Sequence, residues 1–100
     1  MEVYVLSERN FTKYALGWKS LKVQEAVVVR IRDLCKEKNM KISQLAYEAG
    51  MPPSTLKNIM NGNSNNTGIV TIKIICDGLG VSLDDFFRCA LFKKLDEEIV

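Results

Sequence analysis

Residues 42–62 read ISQLAYEAGMPPSTLKNIMNG and contain two short runs with the apolar spacing of a helix. In the first run the inward-facing residues are expected to be Ile42, Leu45, Ala46 and Ala49. Their spacing of three and four predicts a helix over about residues 42–49. Gly50 is expected to end this helix, because glycine adopts the left-handed conformation that follows a helix without strain.

The second run begins with two prolines. Proline fits the first turn of a helix, where its missing N–H would have no partner, so Pro52 and Pro53 predict a helix start. The buried stripe of this helix is expected to comprise Leu56, Ile59 and Met60. Because only a tight turn around Met51 separates the two helices, the pair is predicted to form a helix-turn-helix.

The outward face of the second helix has an uncommon composition. Its residues are Ser54, Thr55, Lys57, Asn58 and Asn61, with no acid among them. A helix with a slender, acid-free leading end suits the major groove of DNA, where an acid would be repelled by the phosphates. Such residues also occur on ordinary solvated faces, so spacing alone leaves both interpretations open.

Three further helices complete an all-α, compact five-helix fold. They are predicted over residues 23–38, over residues 70–78, and after Ser82, which is expected to cap a helix with Asp84 and Asp85 in its first turn. Their inner faces are expected to comprise Val27, Ile31, Leu34 and Cys35; then Ile72, Ile75, Cys76 and Leu79; then Phe86, Phe87, Ala90 and Leu91.

The two ends of the chain are less regular. In residues 1–22, Val3 and Val5 alternate with Glu2 and Tyr4, a pattern compatible with a short hairpin or arm packed on the helices or on a second subunit. A leader that packs by chance is the other interpretation. The segment KKLDEEIV at the C-terminus predicts a polar tail that frays. We therefore divide the chain into an N-terminal extension (1–22), a helical domain (23–91) and a polar tail (92–100).

Composition narrows the classes of function. The net charge is +2, but the charges are unevenly distributed: residues 23–75 carry seven bases and four acids, and residues 76–100 carry three bases and six acids. This distribution fits either a basic face toward a polyanion or an uneven solvated surface. With no histidine, and three cysteines without CxxC spacing, we expect no metal site, no catalytic residue and no cofactor. No apolar run approaches the ~20 residues of a membrane span. A cytoplasmic protein without enzymatic activity or a membrane partner is therefore expected.

From about residue 23 to residue 87 the chain resembles the Cro/phage-repressor (XRE-family) type of helix-turn-helix domain. The resemblance rests on ISQLAYEAGMPPSTLKNIMNG and NGNSNNTGIVTIKIICDGLGVSLDDFF, with Leu45–Ala46, Gly50, Gly62 and LGVSL at the family's spacing. It implies a repressor-like domain that binds double-stranded DNA as a small transcriptional regulator, usually as a homodimer. The recognition helix would be residues 53–61, lying in the major groove.

The resemblance also assigns candidate contacts. The base-reading positions fall on Pro53, Ser54 and Asn58. The phosphate-contacting positions fall on Lys41, Pro52, Thr55, Lys57, Asn61, Asn63, Ser64, Asn65 and Asn66.

Three departures from the family's pattern lead to separate expectations. Ile42 stands where a phosphate-binding glutamine is common, with Lys41 as its substitute. Thr67 stands where proline is frequent, which predicts a looser loop. Cys35 and Met60 replace a frequent Arg–Glu pair, and since a semi-buried ion pair can be exchanged for an apolar one at little cost, the two are predicted to touch in the core.

Two alternatives of the same fold remain open at this point. One is an antitoxin-like module whose main partner is a toxin protein. The other is a protein-interaction domain that has lost DNA binding, which the weak basic balance and Ile42 would favour.

Overall fold

The computed structural model describes residues 21–99. They form helices α1 (Val23–Glu37), α2 (Ile42–Glu48), α3 (Pro53–Met60), α4 (Ile69–Leu79) and α5 (Leu83–Phe87), then a 3-10 turn, η1 (Ala90–Phe92). The predicted all-α, five-helix fold is confirmed over these residues. The hairpin or arm predicted for the N-terminal extension lies outside the described residues, except for Leu21 and Lys22.

One apolar core joins the five α-helices. Its buried members are Val27, Ile31, Leu34, Cys35, Leu45, Ala46, Leu56, Ile59, Met60, Ile72, Ile75, Cys76, Leu79 and Phe86. The stripes predicted for α1, α3 and α4 are all among them. Ile42 and Phe87 pack at the edge of this core and are only partly buried. Full burial of each large side chain contributes about 1.5–3 kcal/mol, so this core is the main source of stability.

The turns between helices share one closing geometry. After α2, Gly50 adopts φ 65°, and the N–H groups of Gly50 and Met51 donate to the carbonyls of Tyr47 and Ala46 at 3.1 and 2.9 Å. This double closure satisfies two carbonyls that the helix end leaves unpaired. Gly62, at φ 82°, closes α3 in the same way. The Gly50 turn joins α2 to α3 through residues 49–52 alone, whereas the Gly62 turn leads from α3 into the loop before α4.

The end of α2 lies directly against α4. A Cβ atom built on Gly78 would stand 2.9 Å from Ala49 Cβ and 3.0 Å from the Ala49 backbone nitrogen. Real Cβ atoms do not approach backbone so closely. Gly78 therefore lets α4 support the helix pair at a distance that any side chain would increase.

The C-terminal segment packs against the start of α1, which corrects the expectation of a fraying tail. Leu21 and Leu95 form an isolated parallel bridge, and the Asp96 N–H donates to the Leu21 carbonyl at 2.8 Å. A second small cluster holds the pair, with buried Leu21, Ala26, Val29 and Leu91. The acids and lysines of this segment are exposed, whereas Phe92 and Leu95 pack against a face of α1.

The fifth helix is shorter than predicted. It ends at Phe87, and Ala90 and Leu91 belong to η1 instead. Chain reversal there lets Phe92 stack edge-on against Phe87, with ring centroids 5.0 Å apart. Within the described part of the chain, no helix has the length and apolar character needed to cross a membrane.

Candidate nucleic-acid interface

The first turn of α3 contains few backbone N–H groups that need a hydrogen-bond partner. Pro53 is the first helical residue, and Pro52 precedes it at φ −57°, ψ 136°. Neither proline has an N–H, and the N–H of Thr55 donates to the Pro52 carbonyl at 3.0 Å. No side chain caps this end of the helix. The first turn of α3 therefore has no capping side chain folded over it, which keeps this end of the helix slender.

The polar side of α3 faces solvent. Leu56, Ile59 and Met60 are buried. The exposed residues at this end of the pair are Pro52, Pro53, Ser54, Thr55, Lys57, Asn58 and Asn61. All three predicted base-reading positions are thus accessible, and Ser54 and Asn58, four residues apart, share one face of the helix. Within residues 21–99, no segment covers this leading end.

The predicted phosphate-contacting loop begins beside Asn58. The backbone N–H of Asn63 donates to the Asn58 carbonyl at 3.0 Å. The side-chain amides of the same residues approach each other, with Asn63 Nδ2 3.5 Å from Asn58 Oδ1. Asn63, Asn65 and Asn66 are exposed, and Ser64 is half-buried. The base-reading position Asn58 is therefore a direct neighbour of the predicted phosphate-contacting loop.

Thr67 anchors the far end of the loop to α1. The Gln24 side-chain nitrogen donates to the Thr67 hydroxyl at 2.8 Å, and the Thr67 backbone N–H donates to Gln24 Oε1 at 2.9 Å. A proline at this position could not make the second bond, because it has no N–H. The expectation of a looser loop is therefore corrected: the threonine that replaces proline brings its own pair of hydrogen bonds.

The basic residues divide into structural and free cations. The Arg30 guanidinium donates to the backbone carbonyls of Phe86 and Asp85 at 2.7 and 2.8 Å, so it holds the end of α5. Lys73 pairs with Asp77 on α4. Lys41, at the N-cap of α2, and Lys57 on α3 are exposed. Lys41 and Lys57 are the two basic residues of the predicted phosphate-contacting set, whose other members are neutral.

Arg32 is a candidate contact that sequence reasoning missed. It is exposed on α1 and lines a groove together with Asn61, Ser64 and Asn65 from the predicted phosphate-contacting set. The groove also has Lys22, Glu25 and Glu98 at its edge. Only the tertiary packing of α1 beside the loop reveals this neighbourhood, since nothing in the local sequence distinguishes Arg32 from other surface cations.

Two buried cysteines, Cys35 and Cys76, lie behind this surface in the core. Cys35 and Met60 are both buried in the same core, with 4% and 9% of their surface exposed, as their predicted contact requires. Burial raises the pKa of the Cys35 thiol, and burial followed by the Asp77 carboxylate raises the pKa of Cys76. Residues 21–99 contain no group of three or more side chains placed to hold a metal ion.

Comparison with known proteins gives consistent matches. A family model described as the Cro/C1-type HTH DNA-binding domain matches residues 30–90. The chain is similar to the wild-type restriction-modification controller protein C.Esp1396I, whose crystal structure aligns with a TM-score of 0.60 and 31% sequence identity. The alignment covers 65% of this chain and 82% of that chain. The structure of the prophage Lp1 protein 11 is 29% identical over 75% of this chain and 99% of that chain, with a TM-score of 0.66. No curated protein matches the chain significantly.

Proposed function

Because the chain belongs to the family of Cro/C1-type helix-turn-helix DNA-binding domains, we propose that it is a small transcriptional regulator that recognises a short palindromic site. It binds as a homodimer, with α3 of each copy in the major groove, and acts in the cytoplasm. The names of two similar structures, a restriction-modification controller and a prophage protein, support a regulatory role of this kind. The proposed activity is binding rather than catalysis.

The observation that carries this proposal is the exposed, acid-free leading end of α3. Pro52, Pro53, Ser54 and Thr55 are all exposed there, and none has a bulky or negative side chain. The major groove is ~12 Å wide and admits a helix whose leading residues are small. Such an end can approach base edges without steric or electrostatic conflict.

Specific reading depends on two side chains. Ser54 and Asn58 can donate and accept hydrogen bonds at base edges, and asparagine pairs well with adenine. Pro53 has no side-chain donor or acceptor, so it contributes shape and contact with a thymine methyl group. Few direct base hydrogen bonds follow from this set.

Affinity then depends largely on the phosphates. Lys41 and Lys57 supply positive charge, and Arg32 adds a third cation from α1. The neutral members of the set, which contact the backbone without releasing counterions, are Pro52, Thr55, Asn61, Asn63, Ser64, Asn65 and Asn66. Binding through charged contacts weakens steeply with salt, because each neutralised phosphate releases counterions.

The test is to select a duplex from random sequences and measure its affinity for single variants. We expect Asn58→Ala to weaken binding by about 1–3 kcal/mol and Lys57→Ala to weaken it to a smaller extent. The matched control is Lys94→Ala, which removes an exposed lysine from the C-terminal segment. Equal affinities for all four proteins, with thermal unfolding unchanged, would contradict the proposal. Failure to select any duplex, together with a co-purifying polypeptide, would favour the antitoxin-like or protein-interaction alternatives.

A further inference from the structure

An apolar stripe runs along the outer side of α4. Ile69, Val70 and Ile74 are 58%, 70% and 38% exposed, while the opposite side of the same helix fills the core. Isolated exposed apolar residues are common on protein surfaces, but a contiguous group on one helix more often marks a contact site. Val70 and Ile74, four residues apart, share one face of α4, and Ile69 adjoins Val70 at the start of the helix.

Two opposite charges lie on the same exposed face. Lys73 and Asp77 are exposed and form an ion pair one turn apart. A surface that carries both charges along a helix is complementary to a copy of itself placed antiparallel, because a two-fold axis exchanges the two positions. Exposed pairs within one helix contribute little to stability, so exchanging partners across such an axis costs little.

We propose that the outer face of α4, formed by Ile69, Val70, Lys73, Ile74 and Asp77, is the surface through which a second copy of this chain binds. The two α4 helices cross near a two-fold axis that passes close to Ile74. Lys73 of each protomer then lies near the partner's Asp77, and the apolar residues of both copies are removed from water.

The position of α4 agrees with the DNA-binding role on which this inference rests. Ile69 begins α4 immediately after the loop that carries Asn63–Asn66. A partner docked on this face therefore joins at the end of the loop beside the proposed DNA surface. The inference requires that this two-fold axis present both α3 helices to one duplex, as binding to a palindromic site demands.

The first experiment compares self-association by sedimentation equilibrium. Val70→Glu and Ile74→Glu are expected to shift the wild-type dimer to monomer, because each places a charge in an apolar contact. Tyr47→Glu is the matched control, since Tyr47 is 82% exposed on a different helix, α2, and its change should leave association unaltered. A wild-type protein that stays monomeric at its solubility limit would overturn the inference. So would charged α4 variants that dimerise as the wild type does.

The second experiment uses the charges and separates an intermolecular pair from the pair within one helix. Lys73→Asp alone and Asp77→Lys alone should each weaken self-association by about tenfold or more, since like charges then face each other across the axis. An equimolar mixture of the two variants should recover association, because both facing pairs become opposite in sign. No pairing within a single helix can produce that recovery. Variants that fail to complement each other on mixing would refute the antiparallel arrangement.

A half-site duplex distinguishes failure of this inference from failure of the proposed function. Such a duplex requires only one α3 helix, so its binding reports on DNA recognition without dimerisation. Ile74→Glu, one turn farther from the loop than Val70, should bind the half-site as the wild type does and lose cooperative binding to the full palindrome. If the wild type does not bind the half-site while it still dimerises through α4, DNA recognition fails and the interface stands.

Discussion

Arg30 links two parts of the chain that are 55 residues apart in sequence. Its guanidinium fork reaches two consecutive carbonyls at the end of α5, which would otherwise lack partners. In the sequence, Arg30 is only one of the seven bases of residues 23–75, because spacing shows which residues are outward but not what they meet. The structure makes it a stabilising residue instead.

Replacing Arg30 by alanine should therefore destabilise the fold. Loss of two charge-assisted hydrogen bonds is expected to cost about 2–3 kcal/mol in the free energy of unfolding, measured by urea denaturation. Arg30→Lys is the informative comparison: it keeps the charge but cannot form the fork, so it should recover only part of the loss. If both variants unfold at the wild-type urea concentration, the proposed role is wrong.

The buried thiols give a second prediction at this scale. Cys35 and Cys76 are 4% and 0% exposed, and burial raises the pKa of both thiols. The reactive thiolate is therefore scarce and inaccessible in the folded protein. Titration with a disulfide reagent at mildly alkaline pH should label these two cysteines only after unfolding. Rapid labelling of either one in the native state would contradict the described core.

The same shifts have a consequence for stability. Because the folded protein holds these thiol protons more tightly than the unfolded chain does, their contribution is complete below the ordinary thiol pKa. It is lost as the pH rises toward the raised folded values. The free energy of unfolding should accordingly decrease on the alkaline side of that ordinary pKa.

At the scale of elements, apolar spacing predicted the helices well. The inner face of α4 was foreseen in full because Ile72, Ile75, Cys76 and Leu79 follow a single period. The second buried face of α1, with Ala26 and Val29, was missed. That face is buried by the C-terminal segment, which meets α1 only in the tertiary fold. The spacing of apolar residues within α1 therefore does not predict it.

The close approach of α4 to α2 predicts whether Gly78→Ala stabilises or destabilises the fold. Helix propensity alone would make Gly78→Ala stabilising by up to about 1 kcal/mol. The contact with the Ala49 backbone predicts the opposite, a loss of about 1–3 kcal/mol, since overpacking forces the helices apart. Thermal unfolding would decide between them. Ser43→Ala, at an exposed position of α2, is a control in which propensity should act alone and raise stability slightly.

At the scale of the whole molecule, the two lysines of the predicted phosphate-contacting set belong to different helices of the pair, with Lys41 at the N-cap of α2 and Lys57 on α3. The sequence identified Lys41 and Lys57 through resemblance to a family, and these two residues are exposed as that resemblance requires. Arg32 emerged only when the fold placed α1 beside the loop. The candidate site was thus mostly predictable where it is local in sequence and unpredictable where it is assembled from distant segments.

These cations predict a specific dependence of DNA binding on salt. Removing one phosphate contact should reduce the slope of log affinity against log salt concentration by about one. Lys57→Ala and Arg32→Gln are each expected to show this reduction, and their effects should add because they lie on different elements. Lys94→Ala should keep the wild-type slope. An unchanged slope for Arg32→Gln would remove that residue from the proposed interface.

The most direct measurement of groove recognition is a repeated selection of duplexes with Asn58→Ala. If α3 reads base edges, the variant should lose preference at one position of each half-site and keep the remaining preferences. Lys57→Ala, as a phosphate contact, should weaken binding to all sequences alike and leave the selected site unchanged. If Asn58→Ala selects the same site as the wild type with every position intact, α3 does not read the groove through this residue, and the account of the leading end is wrong.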